Sequence, residues 1–347
     1  LIFFRAIQGL GASTLFVSSV SLISEIFKKE EQGRATSIYT GITGLGLAIG
    51  PVLGGFLVGS LGWRWVFWVN LPLIAAGYLC CAFSLRLAPH IKPQTQIDLK
   101  GLSLLIAGLG SLVYGIIEAA NDTPFFWAFL LFGLFFLILF SLSEKKSKTP
   151  LIDLSLLKNR LILLCVLSVC AGYATVVYMF FDPLYLRTLR HLSAYEIGLM
   201  ITAIPIGQVL ISFFFNQLLK WINVEQFQLV AIGLALLSVV SHRFIQESTP
   251  LLLLLFPFFL LGINWGMING GVILGVNHAV PPSKVGTAMG SVFTFWNITG
   301  SIFLAVSSAI FHLVEKQSFI SAFHTMTTVN VCLSMLFFLT GLRVLKH

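Results

Sequence analysis

Eleven stretches of about twenty predominantly apolar residues follow one another along this chain, joined by short polar connections. Each is long enough to carry a helix through a hydrocarbon core about 30 Å thick. Water is absent from that core, so every backbone N–H and C=O must be satisfied within the segment, which helices do and open loops do not. The stretches run over about 1–26, 35–59, 64–85, 99–118, 125–143, 160–181, 195–219, 227–243, 250–277, 285–312 and 325–345. Of the 347 residues only 10% are charged and 57% are hydrophobic. Soluble domains carry roughly 25% charged residues, which they need to cover their surface. The expected class is an all-α polytopic membrane protein whose first partner is the lipid bilayer.

The 21 lysines and arginines give the direction of threading. If the first span ends inside, fifteen of them fall in the inner connections and C-terminal tail. Five (Arg64, Arg187, Arg190, Arg243 and Lys316) fall in the outer ones, and Arg5 lies within a span. Basic residues are retained on the cytoplasmic side, so a multi-pass topology with a cytoplasmic C-terminus is expected. The net charge of +8 then has a topological origin. It comes as short clusters rather than a continuous basic face with interleaved aromatics, so no nucleic-acid partner is expected. Cys80, Cys81, Cys165, Cys170 and Cys332 all lie inside apolar stretches without metal-ligand spacing and read as packing residues, so no metal site is expected. The chain opens at Leu1, already inside an apolar stretch, and reads as a piece whose start lies upstream.

The inner connection "SEKKSKTPLIDLSLLKNR" (Ser143–Arg160) is the longest and most charged, and reads as a linker between two helix bundles. Six spans follow it. "EEQGRATSIYTG" (Glu30–Gly41) and "PSKVGTAMGSVF" (Pro282–Phe293) enter the second and tenth spans in the same direction, a faint echo that suits a parallel repeat.

Polar residues inside the spans are few. Arg5 lies in the outer half of the first, where a charged side chain costs about 2.5–3.5 kcal/mol on insertion scales; it either faces a cavity or snorkels to the interface. Gln8, one turn on, and Gly9 and Gly11 add to the cavity reading. Of thirteen carboxylates, Glu25, Glu118, Asp182 and Glu196 lie near span ends, and none is expected to lie deep. Glu25 is either a titratable cavity group or a solvated helix-end charge, while Asp182 and Glu196 are expected to order the outer connection. In-span amides are Gln208, Asn264, Asn269 and Asn297. "GINWGMINGG" spaces Asn264, Trp265 and Asn269 so that two amides lie near one helix face beside an aromatic, as a polar lining for a solute or as interhelical hydrogen bonding. His278 is the one histidine expected beside such a span, in a loop role.

"GLAIGPVLGG" (Gly46–Gly55) puts poor helix formers inside a span. Gly46, Gly50 and Gly54 recur every four residues and form one slowly winding groove, while Pro51 removes the hydrogen bond to the Leu47 carbonyl. The stretch reads as a kinked, tightly packed helix surface.

Taken in order, these segments resemble a known family. "RAIQGLGAS" (Arg5–Ser13) is similar to R-x-x-Q-G-x-G, "GLAIGPVLGG" to the G-x-x-x-G-P-x-x-G-G antiporter motif, "GWRWVFWVNLP" (Gly62–Pro72) to W-R-W-x-F-x-x-N-x-P, and "IDLKG" (Ile97–Gly101) to D-x-x-G. They are the marks of the fourteen-helix drug:proton antiporters (EmrB/QacA type) of the major facilitator superfamily. The resemblance implies a major facilitator fold with eleven of fourteen helices present, N-terminally truncated. Residues 1–86 would be the remaining half of the N-terminal bundle, 87–143 two inserted helices, 144–159 a cytoplasmic linker and 160–347 the C-terminal six-helix bundle. It also implies a secondary active transporter in a bacterial inner membrane, not an enzyme. Such a carrier exports small hydrophobic or amphipathic substrates in exchange for protons by alternating access, with the proton gradient as energy source, no cofactor, and a periplasmic adaptor as a further partner. Arg5, Gln8 and Glu25 would serve proton coupling. Gly46, Gly50, Pro51, Gly54 and Gly55 would form the antiporter motif between the bundles. Gln208, Asn264, Trp265, Asn269 and Asn297 are the candidates for the substrate cavity.

Two features depart from the family pattern. Its aspartate-bearing first helix and the charged loop after its second helix are not in this chain, and "NQLLKWINVEQ" (Asn216–Gln226) is a degenerate second copy of that loop. With no deep carboxylate in the last six spans, neutral or weakly acidic substrates are expected. Three other readings stay open: a substrate-specific exporter of a metabolite or siderophore, an inactive transporter remnant, and an integral membrane enzyme. The last needs a clustered catalytic constellation that the sequence does not display.

Overall fold

The computed structural model describes residues 2–27, 29–85, 98–120, 125–147, 150–152, 154–281 and 284–346, with only part of the side chains in the first two helices. Among these residues every regular element is helical. In order they are α1 (Ile2–Ile26), α2 (Lys29–Ser60), α3 (Trp65–Trp68), α4 (Asn70–Leu85), α5 (Leu99–Ala120), α6 (Phe126–Glu144) and α7 (Arg160–Ala171). There follow α8 (Tyr173–Thr188), α9 (Ala194–Ile201), α10 (Ala203–Leu218), α11 (Val224–His242), α12 (Leu251–Ala279), α13 (Val285–Glu315) and α14 (Phe319–Lys346). A 3-10 turn, Leu154–Lys158, precedes α7. Among the described residues ten segments are long and apolar enough to cross a membrane, matching the second to eleventh expected spans. The first expected span coincides with α1, which is not among those ten.

Three spans are each built of two helices in series, for local reasons. Pro72 and Pro205 have no N–H to give to the carbonyls of Trp68 and Ile201, and the chain breaks at Val69 and Thr202. The third break falls at Gly172, which is packed against the Ile268 side chain. At the turn before α3, Gly62 takes φ +91°, a conformation L side chains rarely adopt, and its carbonyl receives the Trp65 N–H.

The chain forms two compact units, Leu1–Gln96 with Pro183–Pro205, and Ile97–Asp182 with Ile206–His347. In the first, α2 is crossed by α9. In the second, α7 is surrounded by α11, α12, α13 and α14 and buries Ile162, Leu164, Cys165, Val169 and Ala171. Helices α5 and α6 form an antiparallel hairpin whose glycines admit the opposite strand of side chains, Gly108 facing Leu137, Gly115 facing Leu130 and Gly133 facing Leu112. Leu105, Phe140 and Ile152 seat this hairpin on Phe295 and Ile298 of α13.

The two ends of that hairpin that carry Asp98 and Ser147 are tied together. Asp98 accepts the Gly101 N–H at 2.8 Å and the Ser147 hydroxyl at 2.9 Å. Those two donors hold its carboxyl below the usual carboxylate range. Buried Glu144 accepts the Ile152 N–H at 3.0 Å. A Cβ on Gly101 would stand 2.8 Å from Glu144 Oε1 and 2.9 Å from Asp98 Oδ2, which is the physical content of the D-x-x-G spacing.

Candidate functional site

The in-span amides lie on α10, α12 and α13 of the second unit. Trp265 of α12 and Trp296 of α13 pair with ring centroids 4.9 Å apart, and Phe293 meets Trp296 edge-on at 6.2 Å. Next to Trp265, Gly266 lets α10 come close: a Cβ there would run into the Ile211 side chain and stand 3.3 Å from Gln208 Cα. Gln208, Trp265 and Asn269 are all half-buried. Asn269 donates to the Trp265 carbonyl at 3.0 Å, and exposed Asn297 to the Phe293 carbonyl at 2.8 Å. Each bond uses one amide donor and leaves the acceptor uncommitted by it. The result is an aromatic pair flanked by amide groups, suited to a flat apolar solute with a few polar atoms.

Asn264 does not belong to this face. It is fully buried and donates to the Ala231 carbonyl of α11 at 2.8 Å. A helix turns about 100° per residue, so the neighbour of Trp265 points elsewhere, and Asn264 is an interhelical tie. Trp296 was missed by the sequence reading. Its signal was available, because it stands beside Asn297 as Trp265 stands beside Asn264.

In the first unit, Arg5 is exposed, donates to Gln8 Oε1 at 3.0 Å and holds its guanidinium 4.9 Å from the Phe67 ring centroid. Arg5 and Gln8 thus lie on one helix face in hydrogen-bond contact. The Glu25 side chain lies outside the described residues. Within the antiporter-type stretch the described contacts fall on some positions and not on others. A Cβ on Gly46, Gly50 or Gly54 would meet nothing within 4 Å, so among the described residues the expected groove is not a packed seam. The close approach is one step over. A Cβ on Gly55 would strike the Ala194 carbonyl, and one on Gly198 of α9 the Pro51 carbonyl. Pro51 therefore meets Gly198, and Gly55 meets Ala194, partners on α9 that the sequence did not single out.

A concavity of about 640 Å³ in the same unit is lined by Trp63, Arg64, Trp65, Trp68 and Pro72 among others. Arg64 lies over the Trp63 ring at 4.6 Å. This is the composition of an interfacial aromatic belt, and no in-span amide lines it.

Two expectations about titratable groups are overturned. Asp182 does not order an outer connection; it is fully buried and lies 3.3 Å from His242, also fully buried. A buried carboxylate is therefore present among the last six spans, near the ends of α8 and α11, and among the described residues His242 is fully buried there whereas His278 is not. His278 is exposed near the end of α12 and contacts the Leu274 carbonyl. Glu196 keeps the expected role, closing a capping box with Ser193 at the start of α9. Among the described residues no group of three or more His, Cys, Asp or Glu could hold a metal ion.

The family profile described as Major Facilitator Superfamily matches residues 1–304. A riboflavin transporter, RibZ, of Clostridioides difficile (strain 630) is 28% identical over 320 residues, covering 91% of this chain and 69% of that protein. A multidrug transporter protein, MdtP, of Bacillus subtilis (strain 168) is 26% identical over 325 residues, covering 89% of this chain and 58% of its own length. Against Multidrug resistance protein 3 of the same organism the chain spans 48% of the relative. The chain thus spans between about half and two thirds of these relatives. The crystal structure of the nucleoside transporter NupG superimposes with a TM-score of 0.50 at 13% identity, covering 100% of this chain and 87% of that one, a likeness of fold.

Proposed function

This chain belongs to the major facilitator superfamily, and on that premise we propose that it is part of a drug:proton antiporter of the fourteen-helix type, exporting hydrophobic or amphipathic compounds. Superfamily members are secondary transporters, not enzymes, so the chemistry is binding, reorientation and release. The observation that carries the reading is the Trp265–Trp296 pair with Gln208 and Asn269 beside it. Aromatic faces accept many flat apolar solutes, and the amides orient polar edges without demanding one charge. The Arg5–Gln8 couple supports a proton-coupled cavity in the first unit. The similarity to proteins named as multidrug transporters supports the same class. The domain plan, cytoplasmic C-terminus, bacterial inner-membrane location and periplasmic adaptor partner belong to this proposal.

The test is efflux of a hydrophobic dye from inverted vesicles carrying the full-length protein, with and without a proton gradient. Trp296→Ala is expected to weaken dye affinity by about 1 kcal/mol, roughly fivefold. Arg5→Ala is expected to abolish the response to the gradient. Gradient-independent efflux in the unaltered protein sinks the antiport reading, and an unchanged Arg5→Ala removes Arg5 from it. A second reading, a carrier selective for one aromatic metabolite, is favoured by the tryptophan pair and by the similarity to a riboflavin transporter. Competition by riboflavin but not by unrelated dyes decides for it.

A further inference from the structure

Inside the second unit lies a polar cluster that neither the family-like motifs nor the aromatic pair use. Asp182 Oδ2 on α8 stands 3.3 Å from His242 Nε2 at the end of α11, with side-chain exposures of 1% and 0%. Tyr178, one turn before Asp182, stacks on the imidazole with centroids 4.0 Å apart. Phe258 of α12 lies 6.3 Å from the imidazole, and Phe323 of α14 meets Tyr178 edge-on at 6.2 Å. The second carboxylate oxygen, Oδ1, has no hydrogen-bond partner among the described residues.

The hydrogen bonds determine how many protons the pair holds. His242 Nδ1 lies 2.7 Å from the Ser238 carbonyl oxygen, which can only accept, so Nδ1 carries a hydrogen. Nε2 then faces Oδ2 with or without one. Two lone pairs at that distance repel, so one proton lies between them, as an acid donating to neutral imidazole or an imidazolium donating to carboxylate. Both forms are neutral as a pair, which a dry site tolerates. Loss of that proton, as H⁺ to water, leaves a carboxylate facing a lone pair. Among the described residues no lysine or arginine is paired with it. The titratable groups acting on Asp182 and Tyr178 are His242, Tyr173 and each other. Helix α12 brings Phe258, α13 brings Phe311 onto Phe181, and α14 brings Phe323 and Thr327. Arg243, next in sequence to His242, is exposed.

We propose that Asp182 and His242 form a proton-binding site of the carrier, separate from Arg5, and that release of its proton parts the Asp182 segment of α8 from α11. Pro183 lowers the cost of that movement, since it supplies no N–H to the Met179 carbonyl and α8 already lacks a hydrogen bond there. In the expected orientation both residues lie toward the outer ends of their helices, where a proton from outside arrives first. The consequence for transport rests on the antiport reading; proton binding itself does not.

Asp182→Asn is the informative variant, because its amide can donate to Nε2 and so imitates the protonated pair while having no proton to lose. The chain is labelled with ¹⁵N-histidine and purified in micelles, with His242→Gln used to assign the His242 signals. The expected result is a titration of the His242 ring nitrogens that accompanies loss of one proton and disappears in Asp182→Asn. If Asp182→Asn does not fold, infrared absorption of the protonated Asp182 carboxyl, followed against pH with and without His242→Gln, gives the same reading. In vesicles of the full-length protein, Asp182→Asn is expected to lose uphill, gradient-driven dye efflux and to keep dye exchange without a gradient. A His242 titration unchanged by Asp182→Asn overturns the proton site. Uphill efflux retained in that variant overturns its coupling role. Unaltered protein that ignores the gradient overturns the antiport reading and the coupling role together, and the His242 titration still decides the proton site.

Discussion

The crossing of α2 and α9 rests on two glycines that each face the other helix's backbone, and replacing them one by one measures what that contact is worth. A Cβ on Gly55 would lie against the Ala194 carbonyl oxygen and 3.1 Å from Tyr195 Cα; one on Gly198 would lie against the Pro51 carbonyl and 3.4 Å from Val52 Cα. These are backbone atoms, so no side-chain rotation relieves the clash and the helices must withdraw by about an ångström. Overpacking of this kind costs typically about 1–3 kcal/mol. Alanine returns about 1 kcal/mol in helix propensity, leaving a net loss of about 0–2 kcal/mol for Gly55→Ala or Gly198→Ala. Gly54→Ala meets nothing within 4 Å and keeps the propensity gain whole. It is expected to stabilise by up to about 1 kcal/mol. Once the helices have separated for one substitution, the second costs little, so the double variant is expected to fall short of the sum. Thermal unfolding of the purified chain in detergent, followed by tryptophan fluorescence, reads all four variants. If Gly54→Ala and Gly198→Ala shift the midpoint equally in the same direction, the reciprocal contact is not what holds α9 on α2.

Two further outcomes follow from the same geometry. Asp98 has its carboxyl held low by the Gly101 N–H and the Ser147 hydroxyl. Its contribution is therefore complete above the unfolded-state value and is lost as pH falls through the folded one. The melting midpoint is expected to drop on acidification, and in Asp98→Asn that part of the drop is expected to vanish. Asn264→Ala breaks the bond to the Ala231 carbonyl, at a cost of about 1 kcal/mol for an interhelical hydrogen bond in a membrane protein. Dye affinity is expected to stay unchanged, and a clear loss of affinity would return Asn264 to the substrate face.

What the sequence made legible follows from the solvent. A core that cannot hydrate the backbone forces apolar helices of a set length, so the positions of the spans were readable from runs of Leu, Ile, Val and Phe alone. Arg5 and Gln8 were legible as a couple because they lie three residues apart on one helix, where spacing is contact. The same holds for Asp98 and Gly101, joined within a single turn.

Facing relations between helices were not legible. Asn264 and Trp265 are adjacent in sequence and point to different neighbours, one to α11 and the other to α13. Gly55 meets Ala194 and Asp182 meets His242 across long separations that no local period encodes. Asp182 looked like a helix-end charge because hydropathy counts distance along the chain, whereas burial depends on what stands beside it. The sequence by itself determined a bundle of membrane helices, the expected direction of threading, and which few polar residues are placed within apolar surroundings. Only the tertiary structure decided which of those residues touch, because a helix rotation of one residue, about 100°, exchanges a solute-facing amide for a buried tie.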